Sequence, residues 1–196
     1  MRRTGLVLAG IIGFIVIAVL WFVSVNNSLV TKEEGVKSAW SQVENVYQRR
    51  ADLIPNLVNT VKGYASHEKQ TLENVIKARN QAVQSTTPTA AADPKAMENF
   101  QNAQAGLGSA LSRLLVVVER YPDLKANENF KDLQVQLEGT ENRIAVERRR
   151  FNEVVQEFNS YIRRFPASLV AGMRGFQARP YFEAQKGADT APQVQF

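Results

Sequence analysis

From Leu6 to Val25 the chain reads LVLAGIIGFIVIAVLWFVSV, twenty residues in which Ser24 is the only polar side chain. At ~1.5 Å per residue a helix of this length spans ~30 Å, the thickness of a bilayer's hydrocarbon core. A secretory leader has an apolar core of only about 7–15 residues and ends in a small-residue cleavage site. This run is longer and continues into NNSLV without such a site, so an uncleaved anchor is expected over residues 1–29, spanning at 6–25. Arg2 and Arg3 precede the run, whereas Lys32 and Lys37 beyond it are mixed with Glu33 and Glu34. The positive-inside rule then places the N-terminus in the cytoplasm and the rest of the chain outside. Gly5, Ala9 and Gly13 recur every four residues and leave one stripe of the anchor small enough for another membrane helix to pack closely.

The remaining residues suffice for one folded domain. The chain has no cysteine, which excludes disulfides, thiolate metal sites and a cysteine nucleophile, and one histidine, His67, which removes the usual metal-ligand sets. Lys and Arg total 24 against 19 Asp and Glu, an excess too small to imply nucleic-acid binding. No cofactor is expected.

Beyond Thr31 the apolar residues follow a helical period, and residues 30–165 read as an all-α, elongated antiparallel bundle of three to four long helices. Val36, Val43, Leu57 and Tyr64 share one heptad position, and Trp40, Tyr47, Ile54, Val61 and Val75 share another. Pro55 interrupts the pattern, so one bent helix or two shorter ones are both allowed. STTPTAAADP at 85–94 reads as a loop. Asp93 and Pro94 then open a helix carrying Phe100, Gln104, Leu107, Leu111, Leu114, Val118 and Tyr121 on one face, and Pro122 ends it. After the connector PDLKAN, a last helix from Glu128 to Phe165 repeats Phe130, Leu137, Ile144, Phe151, Phe158 and Phe165 every seven residues. Residues 166–196, with three Pro and three Gly, read as a loosely ordered tail with one short helix near Ser168 to Phe176.

Three blocks carry a family likeness: RRADLIPNLVNTVKGYASHE at 49–68, YPDLKANENFKDLQVQLEGTENRIAVERRRFNEVV at 121–155 and RPYFEA at 179–184. With them the chain resembles the LemA family from its anchor to Phe196. The resemblance implies a bacterial membrane protein with one N-terminal transmembrane helix and a helical bundle, and no general enzymatic activity. It also points to a membrane metalloprotease or a TPM-domain protein as a partner.

Few residues have a pattern that could carry chemistry. His67 and Glu68 lack the second histidine four residues on that a zinc-protease helix needs. AGLGSA at 105–110 lacks the strand and the Lys-Ser/Thr of a phosphate loop, so Gly106 and Gly108 read as close helix-packing points. Arg148, Arg149 and Arg150 form a basic step flanked by Glu147 and Glu153, a solvated face or a contact for lipid or a partner. Arg50, Glu68, Thr140 and Glu147 occupy seam positions that call for apolar residues. They either pair in a partly buried network or drift to the bundle's edge. Phe196, ending an alternating VQF, is a candidate to enter a neighbour's groove.

The sequence therefore points to a non-enzymatic, self-associating scaffold or adaptor anchored in the bacterial inner membrane. The alternatives are an envelope-shaping or lipid-surface-binding protein, or a regulatory subunit of an envelope enzyme.

Overall fold

The computed structural model describes residues 2–183 and, in the first helix, the side chains of Leu6 and of Leu8 onward. Its elements are α1 (Arg2–Tyr64), α2 (Lys69–Ser85), a 3-10 turn (Pro88–Ala91), α3 (Pro94–Val118), α4 (Pro122–Ala126), α5 (Glu128–Arg163) and α6 (Ala167–Arg174). The described residues contain no strand. The chain is all-α.

The 63 residues of α1 give a rod of roughly 95 Å. From Leu8 to Leu20 it is apolar and exposed, and burial begins at Val25 and Leu29, so one helix runs from the apolar stretch into the bundle without a joint. Pro55 lies inside it. A proline has no N–H to give the carbonyl four residues back, which here belongs to Ala51. Arg79 of α2 supplies the missing donor, its Nε reaching the Ala51 oxygen at 3.1 Å, and an adjacent Nη lies 3.8 Å from Asp52. Of the two arrangements the sequence allowed, the chain takes the continuous one.

The bundle packs around the lower two thirds of α1. Lys32 lies beside Glu157, Arg50 beside Glu141 and Tyr64 beside Asn127, so α5 runs antiparallel to α1 along its whole length. α2 returns along α1, and α3 descends along α2, with Gln104 reaching Ala82 and Arg120 reaching Glu68. The caps are local. Asp93 accepts from Lys95 N at 2.9 Å with Pro94 in the first turn of α3, and Asn127 accepts from Phe130 N at 3.0 Å to start α5. α6 ends in a Schellman arrangement, Phe176 N donating to Ala171 O and Gly175 N to Gly172 O, with Gly175 at φ 74° where only glycine sits without strain.

Two separate cores fill this frame. The membrane-proximal one gathers Leu29, Trp40, Phe100, Phe151, Phe158 and Phe182, and the distal one Ile54, Leu57, Val61, Leu72, Leu107 and Phe130. The boundary between them falls at Arg50.

Several expectations are corrected. The loop at 85–94 contains a 3-10 turn that buries Ala90 and Ala91, and the connector PDLKAN is a helical turn that buries Leu124. α3 stops at Val118 rather than Tyr121, and α5 at Arg163. Phe165, the last of the heptad series, is therefore beyond the helix and 80 % exposed. Tyr64 is half exposed, its hydroxyl accepting from Asn127. Residues 166–183 are packed and not loose: α6 buries Ala167, Val170 and Ala171, and Phe182 is buried in the proximal core. The reason is a set of hydrogen bonds that sequence texture does not reveal.

Candidate functional site

Those bonds come from two asparagines one heptad apart on α5. Asn159 accepts from Arg179 N at 2.8 Å and donates to Arg179 O at 2.9 Å; Asn152 does the same with Phe182, at 2.8 and 3.0 Å. A side-chain amide matches an extended backbone residue donor for acceptor, so the pair holds residues 179–182 as a strap along α5. The strap then adds side chains. Phe182 stacks on Trp40 with centroids 6.0 Å apart and meets Phe151 edge-on at 5.4 Å, while Arg148 lies 4.8 Å over its outer face. Arg179 forms an ion pair with Glu33 of α1 in which both side chains are mostly shielded. The sequence reading missed Asn152 and Asn159. The available signal was their heptad spacing beside Phe151 and Phe158.

At the boundary between the cores, Arg50 is 4 % exposed. Its Nη1 donates to Glu141 Oε1 of α5 at 2.7 Å and its Nη2 to Gln104 Oε1 of α3, whose Nε2 in turn donates to Ala82 O at the end of α2. One guanidinium thus ties together four helices, while its face covers the Tyr47 ring at 5.1 Å and its Nε has no partner. Burial pushes the Tyr47 phenol above its ordinary pKa, a rise partly offset by the positive charges of Arg148 and Arg50.

The four seam exceptions do not bond to one another. Arg50 takes Glu141 and Gln104. Glu68 receives Arg120 at 2.9 Å and the Tyr121 hydroxyl at 3.3 Å at the far end of the bundle. Thr140 is buried and donates to Gln136 O of its own helix at 2.7 Å, and Glu147 is partly buried with Oε2 enclosed and unpartnered. Of the basic step, Arg148 donates to Glu183 O at 2.9 Å, and Arg149 and Arg150 are exposed. His67 is exposed in the turn between α1 and α2. Among the described residues no three His, Cys, Asp or Glu side chains are grouped as metal ligands would be. Ala9 and Gly13 are exposed on α1; the side-chain surroundings of Gly5 and the whole of Phe196 lie outside what is described.

Between α3 and α5 the bundle is open. Arg50 and Leu57 form the floor of a groove of about 1540 Å³, the strap residues Pro180 and Tyr181 close its membrane end, and α5 contributes Gln134, Leu137, Glu138 and Glu141. The α3 wall carries Ala105, Gly108, Ser109 and Ser112, four small residues at i, i+3, i+4 and i+7 on one helix face. A Cβ added at Gly106 or Gly108 would meet nothing within 4 Å. These glycines are not packing points within the described residues: Gly108 faces the groove and Gly106 is exposed beside it. Glu98, Glu138 and Glu183 against Lys95 leave the rim acidic once Arg50 and Glu141 have neutralised each other.

An exposed apolar helix continuing into a helical bundle, with an open groove and a polar layer spent on holding helices together, defines a membrane-associated bundle protein. The chain belongs to the LemA family, whose model matches residues 39–196. It is similar to the magnetosome proteins MamQ 1 and MamQ 2 of Paramagnetospirillum magneticum, 26 % identical to each over 181 residues, and to magnetosome protein MamQ of Magnetospirillum gryphiswaldense, 27 % identical over 188. The matches cover 84 %, 84 % and 86 % of this chain and 66 %, 66 % and 69 % of the respective relatives, so the chain spans about two thirds of their length.

Proposed function

We propose that this protein is a non-enzymatic scaffold of the bacterial inner membrane that carries a docking groove on a rigid stalk. The observation that carries this reading is the small face of α3, which fronts an open groove where an antiparallel bundle would otherwise bring α3 and α5 together. The groove takes a helix of a partner membrane protein. Small residues at helical spacing let a helix axis approach closely, and the acidic rim favours a partner helix with Lys or Arg on its flanks. A membrane metalloprotease or a TPM-domain protein is the partner class that the family resemblance suggests. The buried charge at the floor, Arg50, is committed to Glu141 and Gln104, which fits a structural duty rather than acid-base work.

Copies associate through the membrane stripe of Gly5, Ala9 and Gly13, and the bundle faces away from the cytoplasm because Arg2 and Arg3 precede the span. The relatives' origin in two bacteria supports the bacterial setting.

Photoactivatable residues at Ser109 and Ser112 of the full chain in native membranes test the groove. Adducts to one protein, on residues three or four apart along a basic-flanked helix, are expected, with none from Gln70 on α2. Equal labelling from Gln70, or none from the groove, overturns the docking reading. Mass measurement of detergent-extracted wild type and Gly13→Leu tests self-association: a monomeric wild type sinks it.

A further inference from the structure

Among the described residues beyond α1, large exposed apolar side chains occur as a neighbouring pair on α3, Leu115 and Val116, singly at Val135, Val146 and Tyr181, and as one row of three. Phe165, Leu169 and Met173 are 80 %, 56 % and 70 % exposed and fall at four-residue intervals, Leu169 and Met173 one turn apart on the outer face of α6. The inner face of the same helix buries Ala167, Val170 and Ala171. α6 is therefore apolar on both sides, and only one side is covered.

Its height on the molecule is fixed by polar contacts. Arg174 Nε donates to Asn26 Oδ1 at 3.1 Å, and Asn26 directly follows the apolar run that ends at Val25. Just below, Lys32 reaches Glu157 at 3.6 Å and lies 5.5 Å over Tyr161. The uncovered face of α6 is thus level with the point where α1 leaves its apolar span. Arg163, Arg164 and Arg174 are exposed around it, and Trp21 is partly exposed on α1 one turn above Asn26. Apolar side chains flanked by three arginines at the end of a membrane span match the interfacial layer of a bilayer, where the arginines meet phosphate groups. A second copy is a poorer fit, since pairing this face with itself would bring the two arginine sets together.

We propose that Phe165 and α6 form a second membrane contact, a foot lying in the headgroup layer of the bilayer that α1 enters, with Arg163, Arg164 and Arg174 against anionic lipid. This rests on the reading that α1 crosses that bilayer. It moves the lipid contact away from Arg148, Arg149 and Arg150: Arg150 lies thirteen residues before the end of α5, ~20 Å down the bundle. A foot beside a continuous stalk also fixes the bundle's tilt and rotation, and hence the direction in which the groove opens.

The chain has no cysteine, so single-cysteine variants need no background mutation. Full-length Leu169→Cys, Met173→Cys, Ile15→Cys and Val146→Cys, each carrying an environment-sensitive fluorophore, are placed in phosphatidylcholine vesicles with and without phosphatidylglycerol. Lipids with a spin label near the headgroup or deep in the acyl chain act as quenchers. The expected result is deep quenching at Ile15, shallow quenching at Leu169 and Met173 severalfold above that at Val146, and a decrease at both α6 positions without anionic lipid. Leu169 and Met173 quenched no more than Val146, with Ile15 still quenched, overturns the foot alone. A blue-shifted but unquenched α6 probe also overturns it, because protein then covers the face. An unquenched Ile15 overturns the foot together with the membrane reading beneath it.

Discussion

The two cores are built differently. The proximal core draws Trp40, Phe100, Phe151, Phe158 and Phe182 from α1, α3, α5 and the strap, and its rings meet edge-on at 4.9–5.6 Å for four of the pairs. The distal core is aliphatic, with Phe130 its one fully buried ring, and comes mainly from α1, α2 and α3, which follow one another in the chain. The distal half can close with short connections, whereas the proximal half is complete only when residue 182 returns to residue 40. Long-range closure of that kind costs more chain entropy and needs directional contacts to fix it. Aromatic edges and the two asparagine pairs supply them. The end nearest the membrane therefore depends on the C-terminal strap, and the distal end does not.

The largest effect that would break this contrast is expected from Phe182→Ala. Truncating a buried phenylalanine costs roughly 3–5 kcal/mol, and thermal unfolding of the full chain should fall accordingly. Phe130→Ala removes a similar volume from the distal core; if the halves differ as described, proteolysis of the strap accelerates in Phe182→Ala and not in Phe130→Ala. Next is Arg50→Leu, which leaves the buried Gln104 without its donor and costs about 1–3 kcal/mol, with little added for Glu141 because that carboxylate is half exposed. Combining it with Gln104→Met should recover most of the loss, measured by chemical denaturation; strictly additive losses would mean that the polar layer is not one unit.

Arg79→Met should cost about 1–2 kcal/mol by orphaning the Ala51 carbonyl, and much less in a Pro55→Ala background, where the helix regains its own donor. An equal cost in both backgrounds would remove Arg79 from the account of why α1 stays continuous. The smallest effect is the pH dependence of Tyr47. Its raised pKa means that the folded state holds the phenol proton more tightly than the unfolded chain. That contribution is intact below the ordinary phenol pKa of about 10 and is lost as pH rises through the higher folded value. Unfolding midpoints of wild type should fall above about pH 10 more steeply than those of Tyr47→Phe.

The distal core and the long apolar N-terminal helix were largely legible in the sequence, because both rest on periodicity and length: Ile54, Leu57 and Val61 are buried where their spacing placed them. The Asp93-Pro94 start of α3 was legible because a capping side chain and a first-turn proline act locally. What connects distant segments was not. Arg50 stood out as a charge on an apolar seam, but its partners lie 54 and 91 residues away and nothing local selects Gln104 and Glu141 over Glu68 and Glu147. Asn152 and Asn159 each follow a seam phenylalanine one heptad apart, and their use is visible only with the strap beside them. Pro55 was an ambiguity that the sequence could not resolve, since the group that resolves it is a side chain on another helix. The groove is a missing contact, and periodicity shows which faces are apolar without showing which are left open.

Hydrogen exchange of the full chain carrying Asn152→Ala and Asn159→Ala together tests most directly whether the strap completes only the membrane-proximal half. Protection should drop across residues 144–162 and 176–183 while residues 54–82 and 107–118 keep theirs. Loss of protection spread evenly over both halves, or unchanged protection in α5, would contradict it.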